Sequence, residues 1–104
     1  MVNRETGTNE IKNFIAICNK DGIRFNKVLF FGSALRNEAD DNSDIDVMLF
    51  SDLFSDDFIA NKIMMKKQIV KYSNLDIKAY NTRKYYEGDL FIDEVKKDCL
   101  EISI

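Results

Sequence analysis

Gly32-Ser33 is followed, ten residues on, by Asp44-Ile45-Asp46, and later in the chain by Asp76. The glycine and the small hydroxyl residue end the apolar run Leu29-Phe30-Phe31, the composition of a buried strand stopping in a tight turn. Such a turn exposes backbone N–H groups. With Ala34, Leu35 and Arg36 opening a helix, those groups and the positive end of the helix dipole face whatever sits over Gly32, which favours phosphate. Ser33 adds a hydroxyl donor, and Gly32 lets a ligand approach the backbone closely. The segment Ser43-Asp44-Ile45-Asp46-Val47-Met48-Leu49-Phe50 alternates as a strand does, with Asp44 and Asp46 on one face and Ile45, Val47 and Leu49 on the other. Carboxylates so placed repel unless a hard cation lies between them, and Mg²⁺ takes carboxylate and phosphate oxygens together. Leu75-Asp76-Ile77-Lys78-Ala79-Tyr80 alternates as well, which sets Asp76 opposite its apolar face. If these two strands are neighbours, three carboxylates converge on one open face, the geometry of two-metal phosphoryl transfer. Taken alone, the Asp-x-Asp spacing and Asp76 each also fit solvated strand residues; it is the coupling to Gly-Ser that reads as a site.

The elements that must position these residues follow from periodicity. Ile11, Phe14, Ile15 and Cys18 fall at helical spacing, with Thr8 or Asn9 able to cap the start and Gly22 the end. Strands are expected over Lys27–Phe31, Asp44–Phe50 and Leu75–Tyr80, with Asp40-Asp41-Asn42 as the solvated turn before the second. Ser55-Asp56-Asp57 supplies a cap and an acidic first turn for one helix to about Lys71, burying Phe58, Ile59, Ile63, Met65, Ile69 and Val70. Lys62 and Lys66 project within that arc, their stems along the core edge and their ammonium groups in water, and Met64 falls outside it. Arg83-Lys84-Tyr85-Tyr86 suits either a nucleotide base or phosphate, or a solvated helix start with buried tyrosine bodies. A helix over Leu90–Lys97 and a last strand alternating Leu100, Ile102 and Ile104 complete the chain. The expected architecture is an α/β domain over residues 1–104, a small mixed sheet with helices on one face and the active site on the other.

Composition narrows the partners. With 104 residues and 45% hydrophobic content the chain fits one modest core, so a partner chain or a homo-oligomer is expected to complete any larger binding site. Net charge is −3, from 15 basic and 18 acidic residues, which argues against general nucleic-acid binding. Cys18 and Cys99 are far apart and there is no histidine, so neither zinc nor a disulfide scaffold is indicated. No stretch has signal-peptide or membrane-spanning character, and a soluble, cytoplasmic protein without membrane contact is expected.

The run from Gly32-Ser33-Ala34-Leu35-Arg36-Asn37-Glu38-Ala39 to Ser43-Asp44-Ile45-Asp46, with a later Asp on a hydrophobic strand, resembles the signature of the minimal nucleotidyltransferases of the DNA polymerase β superfamily. The resemblance extends over most of the chain. It departs at Leu35, where the family has a small residue, and at Asn37, where it has glycine; asparagine tolerates a left-handed backbone. The resemblance implies a nucleotidyltransferase fold and Mg²⁺-dependent transfer of a nucleotidyl group, AMP from ATP or another nucleoside triphosphate, to an acceptor hydroxyl. Gly32, Ser33, Arg36 and Ser43 would then meet the nucleotide, while Asp44, Asp46 and Asp76 hold two Mg²⁺ ions, Asp76 also helping to deprotonate the acceptor. Arg36 could equally pair with Glu38 on the surface. Relatives of this size often form toxin–antitoxin pairs with a small helical, HEPN-like protein, the nucleotidyltransferase being the antitoxin that transfers AMP to the toxin. Two other readings stand beside it: a binding module that only masks its partner, and transfer to a small molecule such as an aminoglycoside.

Overall fold

The structure, a computed structural model, describes residues 2–40 and 42–104. Asp41 of the expected turn lies outside them.

The first helix, α1 (Arg4–Lys20), is capped by Asn3, well ahead of Thr8 or Asn9, the caps the sequence suggested. Asn3 caps it: its Oδ1 accepts from the Thr6 N–H at 2.9 Å, and Thr6 Oγ1 accepts from the Asn3 N–H at 2.9 Å, so two orphan donors are satisfied reciprocally. The Asn37 side chain accepts from the Arg4 N–H at 2.8 Å and ties the helix start to the loop after Gly32. Ile11, Phe14, Ile15 and Cys18 form the buried stripe that the spacing predicted. Gly7 allows the helix to press on the sheet, because a Cβ there would meet Phe30 Cζ at 2.5 Å. The helix closes on Gly22 at φ +86°, with Ile23 N–H donating to Cys18 O at 2.8 Å. Burial, and then the nearby Asp21 charge, push the Cys18 thiol up to about 12, so it packs as a small apolar residue. Cys18 and Cys99 are both free thiols.

Four strands, β1 (Lys27–Phe31), β2 (Ile45–Ser51), β3 (Leu75–Asn81) and β4 (Leu100–Glu101), form one mixed sheet in the order β3-β2-β1-β4. β1 runs antiparallel to β2 and β4, and β2 runs parallel to β3. β4 is only two residues long, yet Ile102 beyond it is buried and donates its N–H to Val28 O at 2.9 Å. Ile104 stays exposed.

One sheet face, with Val28, Phe30, Val47, Leu49, Ile77 and Ala79, packs against α1. The other face was expected to be free of helices and is only half so. Leu29, Met48 and Phe50 make it apolar as well, and α5 (Leu90–Lys97) covers them with Ile92 and Val95. The central strand β2 is thus buried on both sides at its far end, while its first residues lie at the open end of that face.

Between β2 and β3 the expected single helix is two, α2 (Phe58–Met64) and α3 (Lys66–Lys71), broken at Met65, which turns its side chain into the core. Asp57, not Ser55, is the cap: its Oδ1 accepts from the Ala60 N–H at 3.0 Å. Of the expected buried arc only Met65 is fully buried and Ile69 half-buried. Asn61 and Gln68 are buried, and Phe58, Ile59, Ile63 and Val70 point outward. Asn61 explains this, because its amide accepts from Ser55 N–H at 2.9 Å and donates to Ser55 O at 2.9 Å and Ala79 O at 3.1 Å, satisfying backbone groups that burial would otherwise orphan. Gln68 donates to Asp21 Oδ2 at 2.6 Å. A short helix, α4 (Arg83–Glu87), links β3 to α5. Among the described residues no helix is long and apolar enough to cross a membrane.

Candidate active site

The site is built at the open end of the sheet, where β1 stops and β2 and β3 start. Gly32 follows β1 at φ +85°, a backbone region that side-chain-bearing residues rarely occupy. Phe31 lies opposite Asp46 in the antiparallel register, so the Asp46 carboxylate rests on the Gly32 backbone; a Cβ on Gly32 would stand 2.1 Å from Asp46 Oδ2. The parallel register sets Asp46 beside Asp76. The two strands are therefore neighbours, and as register partners the two residues present their carboxylates on the same face.

Asp44 stands just ahead of β2, exposed, and joins this pair through its charge. Among the described residues no three carboxylate or thiol groups close into a metal cage. The donor set is an open one: two adjacent carboxylates and a third charge nearby. Burial, then the charge and hydrogen bond of Asp76, then the Asp44 charge raise the Asp46 carboxyl above its ordinary value, against the lowering by Lys78. A carboxylate pair crowded in this way gains from a hard cation, and oxygen donors with room for water and phosphate suit Mg²⁺.

Lys78 was not singled out by sequence reasoning. Its Nζ lies 3.0 Å from Asp76 Oδ1, so an ammonium already sits against the carboxylate pair. The signal was present: Asp76 and Lys78 are i, i+2 on one strand and share a face.

The segment after Gly32 differs from expectation. Residues 33–37 form successive turns, not a helix, held by Arg36 N–H to Gly32 O at 3.3 Å and Glu38 N–H to Ser33 O at 2.9 Å. Asn37 takes φ +57°, the left-handed conformation in which a helix cannot continue. A helix dipole therefore does not contribute at Gly32. Leu35 is buried in the main core cluster. The Ser33 hydroxyl has no hydrogen-bond partner among the described residues and is free to donate.

Arg36 and Ser43 are otherwise engaged. Arg36 pairs with Glu38 at 3.2 Å and Asp98 at 3.8 Å, and with Glu94 and Asp98 it walls a cleft of about 270 Å³ beside Gly32. The Ser43 hydroxyl donates to Asp40 Oδ1 at 3.1 Å and accepts from Asp40 N–H at 3.2 Å. Ser43 thus shapes the turn that delivers Asp44. In α4, Arg83 pairs with Asp56 at 2.9 Å and Glu87 at 3.2 Å, while the Tyr85 ring meets Phe50 edge-on at 5.3 Å. That is a solvated helix start, but with only Tyr85 half-buried; Tyr86 is exposed, so the expected burial of both tyrosine bodies does not hold.

A family model described as a nucleotidyltransferase domain matches residues 11–102. The fold is similar to the crystal structure of a candidate nucleotidyltransferase from Sulfolobus solfataricus, with a TM-score of 0.67 at 17% sequence identity over 94% of this chain and 80% of that one. No curated protein matches the chain. With the matched residues running from α1 through Gly32, Asp46 and Asp76 to the close of the sheet, the chain belongs to the nucleotidyltransferase domain family.

Proposed function

We propose that this nucleotidyltransferase moves AMP from ATP to a hydroxyl on a partner protein. The observation that carries the reading is the contact of the Asp46 carboxylate with the left-handed Gly32 backbone, beside Asp76. Gly32 leaves the space over the carboxylates open, and Ser33 donates its free hydroxyl to the triphosphate. Asp46 and Asp76, with Asp44 at the rim, would hold Mg²⁺, which when bound lowers the charge on the transferring phosphate and on the leaving pyrophosphate. Asp76 accepts the proton of the acceptor hydroxyl as its oxygen bonds to the α-phosphorus and the bond to the β-phosphate oxygen breaks. Lys78 holds Asp76 in an ion pair and offsets part of the charge on the carboxylates. The transfer keeps charged groups balanced, and the chain mainly positions them.

A protein acceptor is our preferred reading over a small molecule, because the carboxylates stand at the open end of the sheet, where another chain can reach them. The partner we favour is a small helical, HEPN-like toxin, with this chain as its antitoxin. Incubation with α-labelled ATP, Mg²⁺ and the product of the adjacent gene tests this, with an Asp44→Asn plus Asp46→Asn variant alongside. Label on the partner with the parent protein and none with the variant supports transfer. Equal partner binding by both, with no label, favours the second reading, a module that acts by masking.

A further inference from the structure

The outward face of α2 and α3 is apolar where a solvated helix pair should be polar. Ile59, Ile63 and Val70 are 73%, 65% and 73% exposed, whereas Asn61 and Gln68 on the inward side are 1% and 4% exposed. This orientation is fixed by specific bonds. Asn61 makes three hydrogen bonds to the Ser55 and Ala79 backbones, and Met65 is locked in the core, so the pair cannot roll to hide its isoleucines without orphaning those groups. Ile59, Ile63, Ile69 and Val70 floor an open cleft of about 290 Å³, with Lys62 and Lys66 on its walls.

Charge says what covers it. The chain is net acidic, yet Lys62, Lys66 and the adjacent Lys67 have no anionic partner among the described residues. A second copy docking by the same face would bring these lysines against their own images, an isologous contact that like charges oppose. We propose that the α2–α3 face docks another protein chain through an acidic amphipathic helix, its apolar stripe on Ile59 and Ile63 and its carboxylates on Lys62 and Lys66. Lys62 also walls a second cleft, with Phe58, Lys78 and Tyr80, that runs along β3. Lys78 is the residue paired with Asp76, so a chain docked on α2 stands next to the carboxylates. The docked chain is thereby placed as the acceptor; that role rests on the nucleotidyl-transfer reading, whereas docking itself does not.

The test is fluorescence anisotropy with a labelled synthetic helix carrying leucine at i, i+3, i+4 and i+7 flanked by glutamate, against the same helix with lysine for glutamate. The glutamate helix is expected to bind and the lysine helix to fail. Lys62→Glu plus Lys66→Glu should weaken the first at least about tenfold and admit the second, and Ile59→Ser plus Ile63→Ser should remove binding. All these positions are exposed, and unchanged melting temperatures confirm that the variants fold. Equal binding of both helices, or binding indifferent to the four substitutions, overturns the proposal. A dimer by light scattering that Ile63→Glu dissolves also overturns it, making a second copy the occupant. Peptide binding that follows the variants in a protein inert toward labelled ATP supports the docking surface and removes only the acceptor role.

Discussion

The end of the sheet that holds Gly32, Asp46 and Asp76 and the layer formed by α2 and α3 answer the same sequence rules in opposite ways. At the sheet end, alternation and register set Asp46 and Asp76 side by side, with Asp44 just ahead of the strand. In α2 and α3, helical periodicity picked the apolar arc as the buried one, and the structure buries Asn61 and Gln68 beside Met65 while Phe58, Ile59, Ile63 and Val70 of that arc face out. The difference lies in what fixes each element. A strand inside a sheet has its two faces decided by the pleat and its register by neighbours on both edges, so an i, i+2 pattern leaves no freedom. A short helix beside an edge strand can roll, and one buried amide with three good bonds can outweigh several exposed aliphatic side chains. Hydrophobic pattern therefore carries less weight than polar satisfaction at an edge.

The largest effect should come from breaking the sheet-end arrangement chemically. Asp46→Asn and Asp76→Asn are each expected to lower nucleotidyl transfer at least about 10³-fold, read as label from α-labelled ATP, because each removes one of two adjacent oxygen donors. Asn61→Ala should leave transfer chemistry in place and strike the fold. A smaller loss of transfer for Asp46→Asn than for Asn61→Ala would reverse the assignment of roles.

Gly32→Ala tests whether the close approach at the site is as tight as the geometry says. The added Cβ faces both a left-handed φ and the Asp46 carboxylate. The expected cost is about 2 kcal/mol in denaturant unfolding. Mn²⁺ binding, followed by paramagnetic resonance, should weaken with it, since Asp46 must move. Retained stability and retained metal binding together would mean that the turn adapts and that Gly32 is not needed for approach.

The helix layer gives the paired experiment. Asn61→Ala should destabilise by about 2 to 3 kcal/mol, leaving the Ser55 and Ala79 backbone groups buried without partners. Ile63→Ser, a larger loss of apolar surface by composition, should change stability by less than about 0.5 kcal/mol because the side chain is already in water. Chemical denaturation of both separates burial from hydrophobicity. If Ile63→Ser proves the more damaging, the outward apolar face is not outward in solution.

How far the sequence could be read follows the same line. Gly32, Asp46 and Asp76 were legible because the chemistry needs fixed residue types at strand spacing, and β1, β2, β3 and the stripe of α1 came with them. The turn after Gly32 was not, since the left-handed Asn37 that stops a helix there shows only in the backbone. The start of α1 was missed because Asn3 and Thr6 cap reciprocally with no apolar residue to mark the first turn. The ion pair of Lys78 with Asp76 and the cover that α5 lays over Leu29, Met48 and Phe50 are tertiary facts, set by which strands and helices become neighbours.

The smallest effect sharpens the comparison most, because it sets stability against function inside the site itself. Asp46 has its folded carboxyl raised above the ordinary value, by burial first and by the Asp76 charge next. A raised carboxyl holds its proton more tightly in the folded chain than in the unfolded one, so ionising Asp46 favours unfolding. Its cost is absent below the ordinary carboxylate range and grows as pH rises through the folded value, reaching its full size at neutral pH. Asp46→Asn should therefore stabilise the metal-free protein at pH 7 and give no gain near pH 3. Mg²⁺ should reverse the order, stabilising the parent protein and leaving the variant unmoved, because the cation relieves in the parent the repulsion that asparagine removes by substitution. Thermal melts at the two pH values, with and without Mg²⁺, measure this directly. A variant less stable than the parent at pH 7 without metal would show that Lys78 already neutralises the pair, and that the carboxylates are held as a structural ion pair instead of being kept strained for a cation.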